Sequence, residues 1–370
     1  MTAGPRTEAG LEPGHEPGPG PVRIVPLHGI PEVVAGDDLA DLVDLGLSTS
    51  GVTLEDGDVL VLSSKVASKA LGLVVDEHDG ADKTAVIAAE TVRVVAERLA
   101  DGRVTRVVQS VAGPVMAAAG VDASNTGERG GWLVLPADPD AVCRALHAEL
   151  TRRHGVRLGV LLSDTAGRPW RVGQTDFALG AHGLSVLEDL RGGRDLDGRD
   201  LSVTMRALAD EVASAADLVK GKATGVPVAV VRGVRGLVPE EGATTPELGA
   251  RGLVRTGPQD WFGHGRLEAV RSALGVEAGT ALAAQVGIPS VLPESRSDRV
   301  ARAVRLALVE DEGATADVGQ ASVTLGADDP YALGRLAARL ATALWCEALV
   351  AEAGVPAADG CSVDVAVRDR

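Results

Sequence analysis

Four short apolar runs, each closed by a turn or a polar cap, constrain this chain more than any other feature of its sequence. Val59–Leu62 follows the Gly57-Asp58 turn and feeds directly into Ser63-Ser64-Lys65, the order of a strand, a cap and a helix. Val22–Leu27, Arg157–Leu162 and Val226–Val231 are runs of the same kind, and such segments read as strands buried in a sheet. Helical patterns lie between them. Asp37-Asp38 opens an amphipathic helix, Lys83–Ala100 reads as one long helix capped by Asp82 and stopped by Gly102, and Met205–Leu218 is helical. Strands that alternate with helices predict an α/β (mixed α+β) fold with mixed sheets.

The texture changes after about Gly263. Glu294–Leu308 places Val300, Val304 and Leu308 at four-residue spacing on a helix, and Ala321–Leu325 reads as a strand. Asp329-Pro330 caps and starts a long helix to Gly354, and Cys361–Val367 alternates like a half-buried strand. Residues 265–370 are therefore expected to form a small α/β domain after a larger one over residues 22–264. Met1–Pro21 is rich in Gly and Pro with no apolar core, so it reads as a disordered tail rather than a secretory signal.

An apolar share of 45% is enough to fill a core, and no apolar run approaches the ~18 residues that cross a bilayer. A formal charge of −16 argues against nucleic acid or an anionic membrane as partner. Cys143, Cys346 and Cys361 are odd in number and show no C-x-x-C, which signals neither a disulfide framework nor a thiolate zinc site and favours a cytoplasmic setting. Cys143 reads as buried filler, and Trp345 with Leu340 and Leu344 as core.

P-loop, G-x-G-x-x-G and H-E-x-x-H signatures are absent. Three other segments carry chemistry. In residues 59–69 a helix start follows a strand, with Lys65 and Lys69 one turn apart on one face, an arrangement suited to a phosphate chain and equally to a solvated surface helix. In residues 117–125, Asp122 offers an anionic oxygen to a hard cation and Asn125, the chain's sole asparagine, an amide; an Asx-turn loop accounts for the same residues. The richest segment is 161–176, where Ser163-Asp164-Thr165 ends a buried strand and Arg168, Trp170, Arg171, Gln174 and Asp176 crowd the loop that follows. Lysine is scarce, with five in the chain, and Lys220 and Lys222 form a second close pair at a helix C-terminus. His28 sits in the first loop, where it is either a phosphate contact or a solvated residue.

In this order the segments resemble the coenzyme F420-0:L-glutamate ligase family, the γ-glutamyl ligases of deazaflavin cofactor synthesis. The resemblance runs from about Val22 to Gly263 through Pro26-Leu27-His28-Gly29-Ile30-Pro31-Glu32, Ser63-Ser64-Lys65-Val66-Ala67-Ser68-Lys69, Ala119-Gly120-Val121-Asp122, Ser163-Asp164-Thr165, Gly173-Gln174-Thr175-Asp176, Ala209-Asp210-Glu211 and Val231-Arg232-Gly233. It implies a two-lobed ligase domain that acts as a homodimer, with GTP as co-substrate, two divalent ions (Mn²⁺ or Mg²⁺) and K⁺. GTP phosphorylates the terminal carboxylate of the deazaflavin precursor, and the amine of L-glutamate then displaces phosphate. Carried over residue by residue, the nucleotide contacts fall on Ile30, Pro31, Glu32, Val33, Ser64, Lys69 and Asn125. The metal ligands, which are also the catalytic residues, fall on Asp122, Asp164 and the Thr165 oxygen.

The chain departs from the family pattern at Pro114, where a large apolar residue is usual, and at Asp197, where an aromatic is usual. Some relatives carry a flavin-binding reductase domain about twice as long as residues 265–370, and the two do not match, which argues against FMN. A non-catalytic nucleotide- or deazaflavin-binding regulator and an acid hydrolase built on Asp164 stand as alternatives.

Overall fold

The structure is a computed structural model that describes residues 20–76, 82–100, 102–124, 126, 130–240, 242, 248–257, 260–262, 264–290, 292–309 and 311–370. Most of the expected tail, and Asn125, lie outside the described residues. The fold is mixed α and β throughout.

The chain begins with β1 (Arg23–Leu27), α1 (Leu39–Ser50), β2 (Asp58–Ser63), α2 (Ser64–Ala70) and β3 (Val74–Val75). Then come α3 (Lys83–Ala89), β4 (Thr91–Ala100), β5 (Arg103–Ser110), β6 (Val115–Ala117) and β7 (Trp132–Leu133). The middle holds α4 (Pro139–His154), β8 (Leu158–Arg168), β9 (Arg171–His182), β10 (Glu188–Asp189), β11 (Met205–Arg206), α5 (Leu208–Lys220) and β12 (Val228–Arg232). The remainder is α6 (Arg266–Ala273), α7 (Ala281–Val286), α8 (Arg296–Ala307), β13 (Thr315–Val318), β14 (Ser322–Gly326), α9 (Pro330–Cys346), β15 (Leu349–Ala353) and β16 (Ser362–Asp369). These elements divide into two compact units, residues 1–74 with 133–253, and residues 75–132 with 254–370.

The first unit is built on a five-stranded sheet in the order β1-β12-β2-β8-β9, in which β2 and β8 run parallel and the other neighbours antiparallel. Side chains alternate across a strand, so a central strand must be apolar at every position to bury both faces. Leu60, Leu62, Val160, Leu162, Val228 and Val230 pack to one side with residues of α1, α2 and α4. Val59, Val61, Leu161, Ala229 and Val231 pack to the other, against Ala209, Val212, Ala213 and Ala216 of α5. The unbroken apolar runs are thus sheet strands with helices on both faces.

Local chemistry fixes the helix ends. Asp38 accepts the backbone N–H groups of Ala40 and Asp41 at the start of α1, and Gly51 closes that helix at φ 63°, which a side chain would strain. Gly180 on β9 faces Pro139, the first residue of α4, so closely that a Cβ would lie 2.5 Å from the Pro139 carbonyl oxygen. Its missing side chain lets that helix seat on the sheet. Cys143 is fully buried in this core, as its apolar surroundings required.

The second unit combines a three-stranded antiparallel sheet, β4-β5-β6, with a four-stranded antiparallel sheet, β13-β14-β16-β15. Val323, Leu325, Val363, Val365 and Val367 face α8 and α9, through Val300, Ala303, Val304, Leu336 and Leu340, in one core.

Two helix expectations fail here. The stretch from Lys83 is helical only to Ala89 and continues as β4, a run rich in β-branched residues in which Thr91 and Val94 pair with Ser110 and Val108 of β5, while Val92 and Val95 fall at register shifts of the ladder. The helix after Pro330 ends at Cys346, not Gly354; Ala348, at φ 55°, turns the chain into β15, which pairs with β16. Trp345 is only half-buried, between the guanidinium groups of Arg266 and Arg370, each 5.5 Å from its ring. Pro114 sits in the β5–β6 turn, where its carbonyl accepts the Ser110 N–H at 2.9 Å and no proline N–H is needed.

Candidate active site

The parallel pairing of β2 with β8 sets Ser63 opposite Ser163. The next residues, Ser64 and Asp164, therefore meet where that pairing stops, just past the carboxyl end of β2 and within β8, on the edge at which open α/β sheets hold ligands. Ser64 Oγ donates to Asp164 Oδ1 at 3.1 Å. Ser63 takes the cap position of α2 in an extended conformation but makes no side-chain capping bond.

Strand β8 does not end at Ser163-Asp164-Thr165. It continues to Arg168 as one arm of a hairpin with β9, and the apolar run stops because this arm is progressively exposed. Thr165 thus lies directly opposite Asp176, and its hydroxyl donates to Asp176 Oδ1 at 2.6 Å. Asp176 Oδ2 accepts from Ser163 Oγ at 2.8 Å and from Lys220 Nζ at 2.9 Å, and Lys220 also donates to Ser163 Oγ at 2.5 Å. Lys222 Nζ donates to Thr165 Oγ1 from the solvent side.

The two carboxylates across this hairpin differ electrostatically. Burial pushes the Asp164 carboxyl up to about 6, against the downward pull of the Thr165 N–H and the Ser64 hydroxyl; the Asp176 charge adds to the rise and Lys222 opposes it. Burial acts upward on Asp176 too, yet the charge of Lys220 and the hydrogen bonds from Thr165, Lys220 and Ser163 outweigh it and hold that carboxyl below its ordinary range. An acid hydrolase of the aspartic-protease type shares one proton between two carboxyls. Here the neighbour of Asp164 is tied to an ammonium, which counts against that alternative within this unit.

The structure brings Ser64, Asp164 and Thr165 together, and it pairs Lys69 Nζ with Glu32 Oε1. Ile30 and Val33 are buried in the core beside Val66, Ala67 and Ala70, while Pro31 and Glu32 are exposed. Of this loop, then, Pro31, Glu32 and the backbone are what a ligand would meet. Asp122 belongs to the second unit, where it accepts the Ser124 N–H at 2.8 Å and the Ser124 hydroxyl at 3.0 Å, the local turn that Asp favours. His28 is exposed, and its backbone N–H donates to Ser50 Oγ.

Three residues without an assigned role, Asp176, Lys220 and Lys222, complete the cluster. Among the described residues no group of three or more His, Cys, Asp or Glu side chains could hold a metal ion. Asp164 and Thr165 offer oxygen alone, a set that suits a hard cation whose other ligands are phosphate and water.

The sequence profile described as F420-0:gamma-glutamyl ligase matches residues 29–233, more than half of the chain. The chain belongs to this family. It is similar to the coenzyme F420:L-glutamate ligase of Methanopyrus kandleri, with 39% identity over 261 residues that cover 65% of this chain and 97% of the relative. The proteins of that name from Archaeoglobus fulgidus and Methanothermobacter thermautotrophicus are 38% and 36% identical, over 88% and 97% of their own lengths. As a member of the gamma-glutamyl ligase family it is an amide-forming ligase. Every member of the Ser64–Asp164–Lys220 cluster lies inside the matched residues. No helix among the described residues is long and apolar enough to cross a membrane.

Proposed function

We propose that the chain joins L-glutamate to the terminal carboxylate of the deazaflavin precursor F420-0, with GTP as phosphoryl donor and an acyl phosphate as intermediate. The observation that carries this reading is Asp164, a half-buried carboxylate where the parallel strand pairing stops, held by the Ser64 hydroxyl and otherwise left only partly balanced in charge. In the first step a substrate carboxylate oxygen attacks the γ-phosphorus and GDP leaves. In the second the glutamate amine attacks the acyl carbon, phosphate leaves and the amine gives up a proton. Phosphoryl transfer of this kind asks the protein for position and charge rather than for a nucleophile.

Each residue has a part in that demand. Lys222 and Lys69 supply positive charge to phosphate oxygens, Lys69 by exchanging Glu32 for the ligand. Asp176, clamped by Lys220 and Ser163, fixes the direction of the Thr165 hydroxyl. Asp164 and the Thr165 oxygen would hold a divalent cation, Mg²⁺ or Mn²⁺, which when bound offsets phosphate charge. K⁺ and a homodimer belong to the same reading.

The test is GDP and phosphate release from GTP with Mn²⁺ present, on adding F420-0 and L-glutamate, followed by mass analysis of the deazaflavin. One glutamyl residue gained per GDP supports the reading. GTP cleavage that ignores either co-substrate, or a deazaflavin of unchanged mass, rejects it.

A further inference from the structure

The second unit contains a cavity of about 580 Å³, within the range of roughly 300–1,000 Å³ seen for small-molecule sites. Its walls come from β4, α6, α7, the segment that leads into α8 and the turn after α9. Val94, Val276 and Ala283 line it. So do Val92, Ile288 and Leu292, which are 56%, 57% and 55% exposed and form its open rim. Large apolar side chains left half in water around a concavity are the surface that a ligand covers.

The polar groups of the wall select the ligand. Glu268 and Arg271 stand one turn apart on α6 and both line the cavity. Arg271 is 6% exposed; its Nη2 donates to the Gly287 carbonyl at 2.6 Å, but its Nη1 has no partner. Glu268 Oε2 is likewise buried without one. A buried donor and a buried acceptor left unpaired on residues one helical turn apart are costly in a folded protein.

The other charges of the wall are engaged. Glu347 is held by Arg302, which also holds Glu294, and Glu97 is held by Arg106. Arg93 donates to Gln109, and Arg299 to the Glu347 carbonyl and Asp369, with Nε alone unpartnered. Cys346 lines the cavity as well, but burial pushes its thiol up to about 11, so it stays protonated and the cavity offers no nucleophile.

We propose that this cavity binds a small, mostly apolar molecule that ends in a carboxamide or lactam, its C=O accepting from Arg271 and its N–H donating to Glu268. A carboxylate would satisfy Arg271 but meet the charge of Glu268, and an amine would do the reverse. The proposal does not rest on the ligase reading, because its residues and its readout are separate from Asp164 and from turnover.

Isothermal titration of the full chain with naphthamide and with naphthoate tests it. The amide should bind at least about tenfold more tightly than the acid, and Arg271→Met should weaken the amide about tenfold. Glu268→Gln should bring the two affinities together by removing the charge that repels the acid. Val92→Trp, a change at the half-exposed rim, should block both. Circular dichroism checks the fold of each variant; if Arg271→Met does not fold, the Glu268→Gln ratio and Val92→Trp decide. No amide binding, equal binding of amide and acid by the unaltered chain, or amide affinity untouched by Val92→Trp would overturn the proposal.

Discussion

In the second unit Arg302 stands between two carboxylates, with Nε and Nη2 on Glu347 at 2.9 and 2.7 Å and Nη1 and Nη2 on Glu294 at 2.8 and 2.6 Å. In the first unit two carboxylates also lie close together, but Lys220 clamps only Asp176, and Asp164 keeps a hydroxyl, a backbone N–H and a more distant ammonium. The Arg302 arrangement turns its charges on one another, with the Ser290 N–H added at Glu294. The Asp164 arrangement holds back a carboxylate whose ionised form is disfavoured until positive charge arrives. Buried charge that is closed marks scaffold, and buried charge left partly open marks chemistry.

The sharpest way to break this contrast is Asp164→Asn, which removes the open charge and preserves shape. Ligation should fall about a hundred- to a thousandfold, as loss of a carboxylate that would hold the charge-neutralising cation does, while the circular dichroism spectrum stays unchanged. Near-normal GDP release would place the chemistry elsewhere. Arg302→Met should act on the other side of the comparison, leaving Glu347 buried and uncompensated, and should cost about 3–5 kcal/mol in urea unfolding. An unshifted midpoint would show that the network is not what closes that core.

Lys220→Met is expected to cost about 3 kcal/mol, because it strands Asp176 at 5% exposure, and also to slow ligation by freeing the Thr165 hydroxyl. The unaltered Asp176 pair stabilises the fold fully above the ordinary carboxylate range, and that contribution is lost as pH falls through the lowered pKa. A Lys220→Met protein whose midpoint falls but whose turnover holds would make Lys220 a structural residue only.

Asp164→Asn should also gain stability, by about 1–2 kcal/mol at pH 8. The raised pKa means that the folded protein binds this proton more tightly than the unfolded chain. The penalty for the charge grows between about pH 4 and 6 and is constant above, so the gain should vanish by pH 4. Equal melting temperatures at pH 8 would show that Asp164 is better neutralised than its surroundings indicate. Smallest of all, Arg152→Ala on the exposed face of α4 should leave the urea midpoint essentially unshifted despite its ion pair with Glu149, as surface pairs do, and a clear drop would show that this pair matters.

The parts of the fold legible in the sequence were those with one physical cause. Strands β2, β8 and β12 are buried on both faces, so each appears as an unbroken apolar run. Strand β4 was misread because Lys83–Ala100 has apolar residues at both helical and alternating spacing, and only the partner strand β5 decides between them. At the site, Ser64, Asp164 and Thr165 stood out because they follow those runs directly. The clamp on Asp176 did not, since Lys220 is 44 residues away and its role depends on where α5 ends. The scarcity of lysine was the one signal that could have drawn attention to it.

The strand order of the main sheet also bears on how the molecule is made. Strand β12 lies between β1 and β2, so β1 has no neighbour in the sheet until β12 has emerged, about 165 residues after β2. At roughly 5–20 residues per second of synthesis, that leaves β1 and one edge of β2 unpaired for about 10–30 seconds. During that interval the growing chain presents two open β edges to its surroundings, and closure of the sheet by β12 is the event that withdraws them. A ribosome stalled before Val228 should therefore carry a sticky nascent chain, and one stalled well past Arg232 a quiet one.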